Sequence, residues 1–277
     1  MSWGSWGKRW DTASMTHLID EYVGLGISSF DHADIYGGYS TEREWGDAFA
    51  KAGTHRNQIQ LISKCGIQYL SPGRDNRVKH YQYDSQYIID SAYASLKNLG
   101  TDYLDVFLMH RPSPLMHPAE VAAAVETLQK QGAIIDFGVS NFEPHQVDLI
   151  ASAVPVTTNQ IELSLNQWST LNAARLDHAL QYNYTVMAWS PMGNYGVKQD
   201  MAHIRLSNEL DDLAEKYACT PHQLLIAWLA KLPCAPIPVL GTTTPRRALE
   251  SLAAMDIALS DEDWFALLIA MQGHKVP

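Results

Sequence analysis

Short apolar runs alternate with longer stretches whose apolar residues recur every three or four positions, and this rhythm persists along the chain. The runs Ile27 to Asp31, Ile59 to Lys64, Tyr103 to His110, Ile134 to Ser140, Val154 to Gln160, Thr185 to Ser190 and Ile237 to Gly241 read as buried strands. Near-continuous apolar strands predict a parallel sheet covered on its outer face. Between them the 3.6-residue period predicts helices near 14–25, 41–52, 84–99, 118–131, 144–152, 171–182, 204–217, 221–231 and 245–254. Gly100 and Gly132 stand where helices should stop, Thr220 before Pro221 suits a helix start, and Ser260 is placed to cap a last helix beginning at Asp261-Glu262-Asp263.

Counting Trp3 to Trp6 as a first strand gives eight strand-helix units and predicts an α/β (β/α)8 barrel, a TIM barrel, formed as one domain over residues 1–277. An open doubly wound sheet would favour a GxGxxG turn after its first strand, but Gly24-Leu25-Gly26 precedes a strand instead. The longest irregular insertion expected is 66–83, followed by 111–117.

In such a barrel the chemistry sits at the C-terminal strand ends. Asp31, Lys64, His110, Ser140-Asn141, Gln160, Trp189-Ser190 and Gly241-Thr242 all fall there. An ammonium beside a phenol favours the phenolate, and an imidazole can orient or relay its proton. Lys64 and His110 can do this for Tyr36 in the run Asp31-His32-Ala33-Asp34-Ile35-Tyr36-Gly37-Gly38, with Asp31 pairing the otherwise costly buried Lys64. The set suits proton donation to a carbonyl oxygen while a hydride reaches the carbon.

Composition narrows the partners. At 46% hydrophobic and 18% charged the 277 residues can bury a large core, and a net charge of -10 counts against gripping nucleic acid or an anionic membrane. Met1 to Asp11 lacks the apolar stretch of a signal peptide, and no apolar run approaches a membrane span. Cys65, Cys219 and Cys234 show neither CxxC spacing nor a disulfide framework, which fits a reducing cytoplasmic setting. Oligomeric state is not legible.

The motifs DHADIYGG, LISKCG, VFLMHRP, GVSNF at 138–142, TNQ at 158–160, AWSPMG at 188–193 and PVLGTTTPRRALES follow one another in order. Together they make the chain resemble an aldo-keto reductase over nearly its full length, in a bacterial branch with the DHADIYGGY form. The resemblance implies Tyr36 as general acid or base, Lys64 and His110 as its modulators and Asp31 as partner of Lys64. It also implies an NADPH cofactor, NADH being possible, with Ser140, Asn141 and Gln160 on the nicotinamide carboxamide and Trp189, followed by Ser190, stacking on the ring. Thr242, Arg247 and Glu250 match positions at the adenosine end; Gly241 stands where many relatives have lysine, and Ser251 where many have asparagine. The floor hairpin of many relatives is expected to be missing or very short, and no long cofactor clasp is expected after Gly193.

Plainer readings compete at several positions. Asn141 could cap the helix near Pro144, Gln160 could be a structural amide, and Arg247 a solvated charge. Cys65 could be a reactive thiol, though strand alternation turns it toward the helices. His32 and Asp34 could belong to a metal-dependent hydrolase, but Lys64 and Asn141 occupy the ends where further ligands are needed, so no metal is expected. A nicotinamide-binding regulatory subunit with little turnover is the other alternative to reduction of a small carbonyl substrate.

Overall fold

Strand and helix follow one another in the computed structural model as the periodicity predicts, through residues 3–276, which are the residues it describes. Met1, Ser2 and Pro277, the ends of the expected 1–277 span, lie outside the described residues. The contacts fall into two units, residues 1–159 and 160–277.

The first unit contains helices α1 (Thr12–Gly24), α2 (Thr41–Phe49), α3 (Ser85–Leu99), α4 (Pro118–Lys130) and α5 (Pro144–Ala151). Its strands are β1 (Ser29–Asp31), β2 (Gln60–Cys65), a short β3 (Ile67–Gln68) and β4 (His80–Tyr81), β5 (Leu104–Met109) and β6 (Ile134–Ser140), while β7 (Thr158–Glu162) begins at its boundary. β1, β2, β5 and β6 are parallel neighbours in that order, with Phe30 opposite Leu61, Lys64 opposite Leu108, and Met109 opposite Val139. Leu61, Phe107, Leu108 and Val139 are fully buried, as expected of strands covered by helices. Asp11 starts α1 two residues before the expected position, its carboxylate accepting from Ser14 N–H at 2.8 Å. Gly100 ends α3 in the left-handed region, φ 66°, where a Cβ would be strained.

Trp3 to Trp6 is not a strand. Its main chain closes on its own segment, with Trp10 N–H donating to Trp3 C=O and Arg9 N–H to Gly4 C=O. Gly4 lies so close to Glu44 that a Cβ would overlap its carboxylate, which leaves no room for an extended, side-chain-bearing run. Trp3 instead fills the core against Tyr22 and Phe30, at ring distances of 5.5 and 6.2 Å. The eighth strand-helix unit counted from this segment is therefore absent among the described residues, leaving seven strands that carry the repeat. The 66–83 insertion is also more ordered than expected, since β3 and β4 pair antiparallel with Gln68 opposite His80.

The second unit carries the rest of β7, then β8 (Thr185–Trp189) and β9 (Ile237–Val239), the last two parallel, with α6 (Thr170–Tyr182), α7 (Met201–Lys216), α8 (Pro221–Ala230), α9 (Pro245–Ala253) and α10 (Asp261–Gln272). α8 is buried from Leu224 to Leu229. There Trp228 stacks on Trp264 of α10 at 4.6 Å, and each indole N–H donates to the other's backbone carbonyl, at 3.1 and 2.9 Å. Such a pair adds about 0.5–1.5 kcal/mol beyond its buried area. Thr220 and Ser260 cap α8 and α10 as the sequence predicts.

Candidate active site

Asp31 is the last residue of β1, and pairing with β2 runs on past it: His32 N–H donates to Ile62 C=O and Asp34 N–H to Lys64 C=O. The chain then turns back through Gly37 and Gly38, at φ 64° and 66°. A Cβ on Gly37 would sit 2.5 Å from Thr41 Oγ1, so the turn needs glycine for space as well as for its backbone angle. This reversal brings the Tyr36 hydroxyl to 3.4 Å from Lys64 Nζ.

Lys64 is fully buried, which would be prohibitive for an unpartnered ammonium. It donates to both Asp31 oxygens at 2.8 Å and to the His32 carbonyl at 2.6 Å. Burial works against its charge, but Asp31 and Tyr36 outweigh it and hold the lysine above its usual range. His110 follows β5, its N–H donating to Cys65 C=O at 2.9 Å, and its ring stands edge-on to Tyr36 with centroids 6.0 Å apart. Burial, then the nearby Lys64, Arg111 and Lys79 charges, hold the imidazole well below its usual range, so it is neutral near pH 7 and can both give and accept a proton. The indole of half-exposed Trp6 lies 5.3 Å from the Tyr36 ring. Thus the four catalytic residues expected from the sequence converge within the first unit.

Around them Glu42, His32 and Cys65 are buried and Asp34 is half-buried. Glu42 of α2 accepts from Ser63 Oγ at 2.6 Å, and burial raises its pKa. The His32 ring turns away from the site against Trp45, 4.9 Å between centroids, and burial holds it neutral. Cys65 is fully buried, its thiol pushed well up by burial, which corrects any reading of it as a low-pKa nucleophile. Asp34 is pushed up to about 8, first by burial and then by the Glu42 charge, and its Oδ1 has no hydrogen-bond partner among the described residues.

Asp34 therefore holds a proton in the native state that the unfolded chain has released between about pH 4 and pH 8. Stability contributed by this group falls as pH rises through that window. Neutral His32 and His110 act in the opposite sense below about pH 6.5, because there the unfolded chain takes up protons that the native state refuses. Comparing wild type with Asp34→Asn cancels the histidines. The wild-type advantage in urea unfolding is expected to decline from about pH 5 to about pH 8 by on the order of a few kcal/mol. A difference that stays flat with pH would show that Asp34 is ionised throughout.

The remaining predicted residues divide between the units. In the first, Ser140 is buried one step past the Met109–Val139 pair, level with His110. Asn141 takes a left-handed backbone, φ 61°, and its amide donates to Ser140 Oγ at 2.8 Å. Asn141 does not cap α5; that position is Glu143, whose N–H donates to the Gln146 side chain. In the second, Gln160 is buried in β7, Trp189 ends β8, and Ser190 follows it with φ 52°. Thr242 Oγ1 accepts from Thr244 N–H at 3.2 Å beside exposed Gly241. Arg247 on α9 is exposed, while Glu250 is held by Arg246 at 2.9 Å. The hydroxyl and amide at Ser140 and Asn141 supply both donors and acceptors, a set that fits a carboxamide.

Residues 1–269 match the model of the aldo/keto reductase family. The chain belongs to this family. It is 38% identical over 266 residues to the oxidoreductase YdhF of Escherichia coli K12, covering 95% of this chain and 89% of the relative. It is 34% identical to a 6-dehydroglucose reductase of Agrobacterium fabrum, covering 99% and 94%. The structure of the thermostable aldo-keto reductase Tm1743 superposes with a TM-score of 0.77 at 25% identity, covering 94% and 88%. The fold is accordingly the α/β (β/α)8 class of aldo-keto reductases, and the chain is an NAD(P)H-dependent oxidoreductase acting on small carbonyl compounds. Among the described residues no helix is long and apolar enough to cross a membrane.

Three features of the site were not read from the sequence. The His32 carbonyl is an acceptor for Lys64, and a main-chain group leaves no trace in residue type. The Glu42–Ser63 bond beneath the site and the position of Trp6 over Tyr36 depend on contacts across 21 and 30 residues. A polar residue at an otherwise apolar helix or strand position, as at Glu42 and Ser63, was the available signal.

Proposed function

We propose that this aldo-keto reductase reduces an aldehyde or ketone to an alcohol with NADPH, and that Tyr36 gives the proton. The observation that carries the reading is the buried Lys64 ammonium, held by Asp31 and the His32 carbonyl and reaching the Tyr36 hydroxyl. When bound, the nicotinamide supplies the hydride. The Tyr36 hydroxyl hydrogen-bonds the substrate oxygen and passes its proton as charge grows there. The phenolate left behind lies beside a fixed positive charge, and Asp31 keeps that charge in place. His110, neutral and edge-on to the phenol, orients the substrate oxygen toward Tyr36. Oxidation of an alcohol runs through the same residues in reverse.

Ser140, Asn141 and Gln160 are proposed to bind the carboxamide, and Trp189 with Ser190 to adjoin the ring. Gly241, Thr242, Arg247 and Glu250 are proposed for the adenosine end, with Arg247 on the ribose 2′-phosphate, since a guanidinium offers paired charged hydrogen bonds. The three free thiols support a reducing, cytoplasmic compartment.

A steady-state screen of aldehydes and ketones with each cofactor tests the reading. Turnover with NADPH is expected, and Arg247→Gln should weaken NADPH binding by roughly ten-fold while leaving NADH within about two-fold, the loss of one charged contact. Equal weakening of both cofactors would remove Arg247 from the 2′-phosphate, and no turnover with either cofactor on any carbonyl would sink the assignment.

A further inference from the structure

We propose that Tyr83 is a positioning residue for the reducing site, its hydroxyl clamping the strand end that carries His110 to the strand end that carries Lys64. The proposal rests on the reading of Tyr36, Lys64 and His110 as that site. Tyr83 closes the 66–83 insertion, just after β4, and is 6% exposed. Its hydroxyl donates to Arg111 C=O at 2.6 Å and accepts from Arg111 N–H at 3.1 Å. One side-chain group thus pairs with the N–H and the C=O of Arg111, one from each of the two peptide units that flank it, where the chain leaves β5 immediately after His110.

The hydroxyl end of the Tyr83 ring also packs on Gly66. A Cβ there would stand 2.1 Å from Tyr83 Cε1, so the phenol occupies space that only glycine leaves open, at φ 115°. Gln82 N–H donates to Gly66 C=O at 2.9 Å, and His110 N–H to Cys65 C=O at 2.9 Å. The result is a closed loop of contacts: Cys65 to His110, Arg111 to Tyr83, Gln82 and Tyr83 to Gly66. His110 is itself part of it, and Lys64 lies one residue before it, next to Cys65. Burial pushes the Tyr83 phenol well above its usual range, so it remains a donor wherever the enzyme is folded.

The geometry gives the clamp a catalytic consequence. The depth of the His110 ring beside Tyr36 depends on the path of the chain at Arg111, and displacements near 1 Å in a reacting arrangement cost up to about a hundred-fold in rate. Tyr83 itself touches neither Tyr36 nor Lys64 among the described contacts, so its effect passes through the main chain at residue 111.

Tyr83→Phe keeps the ring on Gly66 and deletes only the hydroxyl. The expected result is a fall in kcat of about ten- to a hundred-fold, a larger solvent isotope effect on kcat, and NADPH affinity within about two-fold of wild type. Hydrogen exchange at the Arg111 amide should quicken at least ten-fold, and the His110 ring signals in the NMR spectrum should shift. Faster exchange with unchanged kcat and isotope effect would overturn the proposal, as would a slower enzyme whose Arg111 exchange and His110 signals match wild type. Should the wild type reduce no carbonyl at all, the reductase reading fails on that result. The exchange and ring signals still decide the clamp without turnover, unchanged values overturning it.

Discussion

Tyr36→Phe is expected to lower carbonyl reduction by about 10³-fold or more while NADPH still binds, the upper part of the range for removing a positioned acid. The change deletes one oxygen. It leaves the ring in contact with Trp6 and His110, at 5.3 and 6.0 Å, so the walls of the site persist. It also leaves Lys64 with three of its acceptor atoms, both Asp31 oxygens and the His32 carbonyl. Stability should therefore change by less than about 1 kcal/mol, as for one exposed-edge hydrogen bond. Fluorescence titration of the cofactor and single-turnover reduction separate the two effects: an unaffected hydride-transfer rate would remove Tyr36 from proton donation, and lost cofactor binding would assign it a different role.

The largest effect on folding is expected at Asp31. Its carboxylate is the partner of an ammonium with a fully buried side chain, whereas its own side chain is 14% exposed. Asp31→Asn strands the buried charge, which should cost about 3–5 kcal/mol. Lys64→Met removes that charge, fills a similar volume and leaves a carboxylate that water can reach, so about 1–2 kcal/mol is expected. The double substitution should lie near Lys64→Met alone, an apparent rescue of the aspartate change. The pH dependence separates the cases further. In wild type the raised lysine contributes stability throughout the range below its unfolded pKa and loses it only as pH rises through its folded value. In Asp31→Asn, burial without a partner lowers that pKa instead, so the deficit should shrink as pH rises toward 10. Urea unfolding at pH 7 and pH 9 measures both; equal costs for the two single substitutions would mean that the ion pair is solvated in solution.

Much of this was written in residue types. The strand-helix rhythm, the caps at Gly100, Thr220 and Ser260, and the convergence of the four residues proposed for catalysis rest on local signals, since each depends on a period of a few residues or on a polar group close to the end of an apolar run. What escaped was set by tertiary contact. Trp3 to Trp6 looks strand-like in composition, but Gly4 must make room for Glu44, and hydrogen bonds from Arg9 and Trp10 fold the segment on itself. The β3–β4 pairing joins residues 12 and 14 apart through an insertion with no alternation strong enough to announce it. Asn141 looked equally able to cap a helix, and that competition was decided by where α5 begins, since the cap position falls two residues later, on Glu143. For the cofactor residues of the second unit, local placement is now known, and their roles remain the proposal stated above.

The bond from Lys64 to the carbonyl of His32 gives the site an unusual tolerance. Every residue at position 32 brings the same carbonyl, so one anchor of the ammonium cannot be removed by point substitution, whatever happens to the side chains. Selection on position 32 then falls on a fully buried, uncharged side chain that packs against Trp45, 4.9 Å away, and on the N–H that pairs with Ile62. A library randomised at 32 should thus yield active enzymes with uncharged side chains of small and medium size, and such a position is where a lineage can drift without passing through an inactive ancestor.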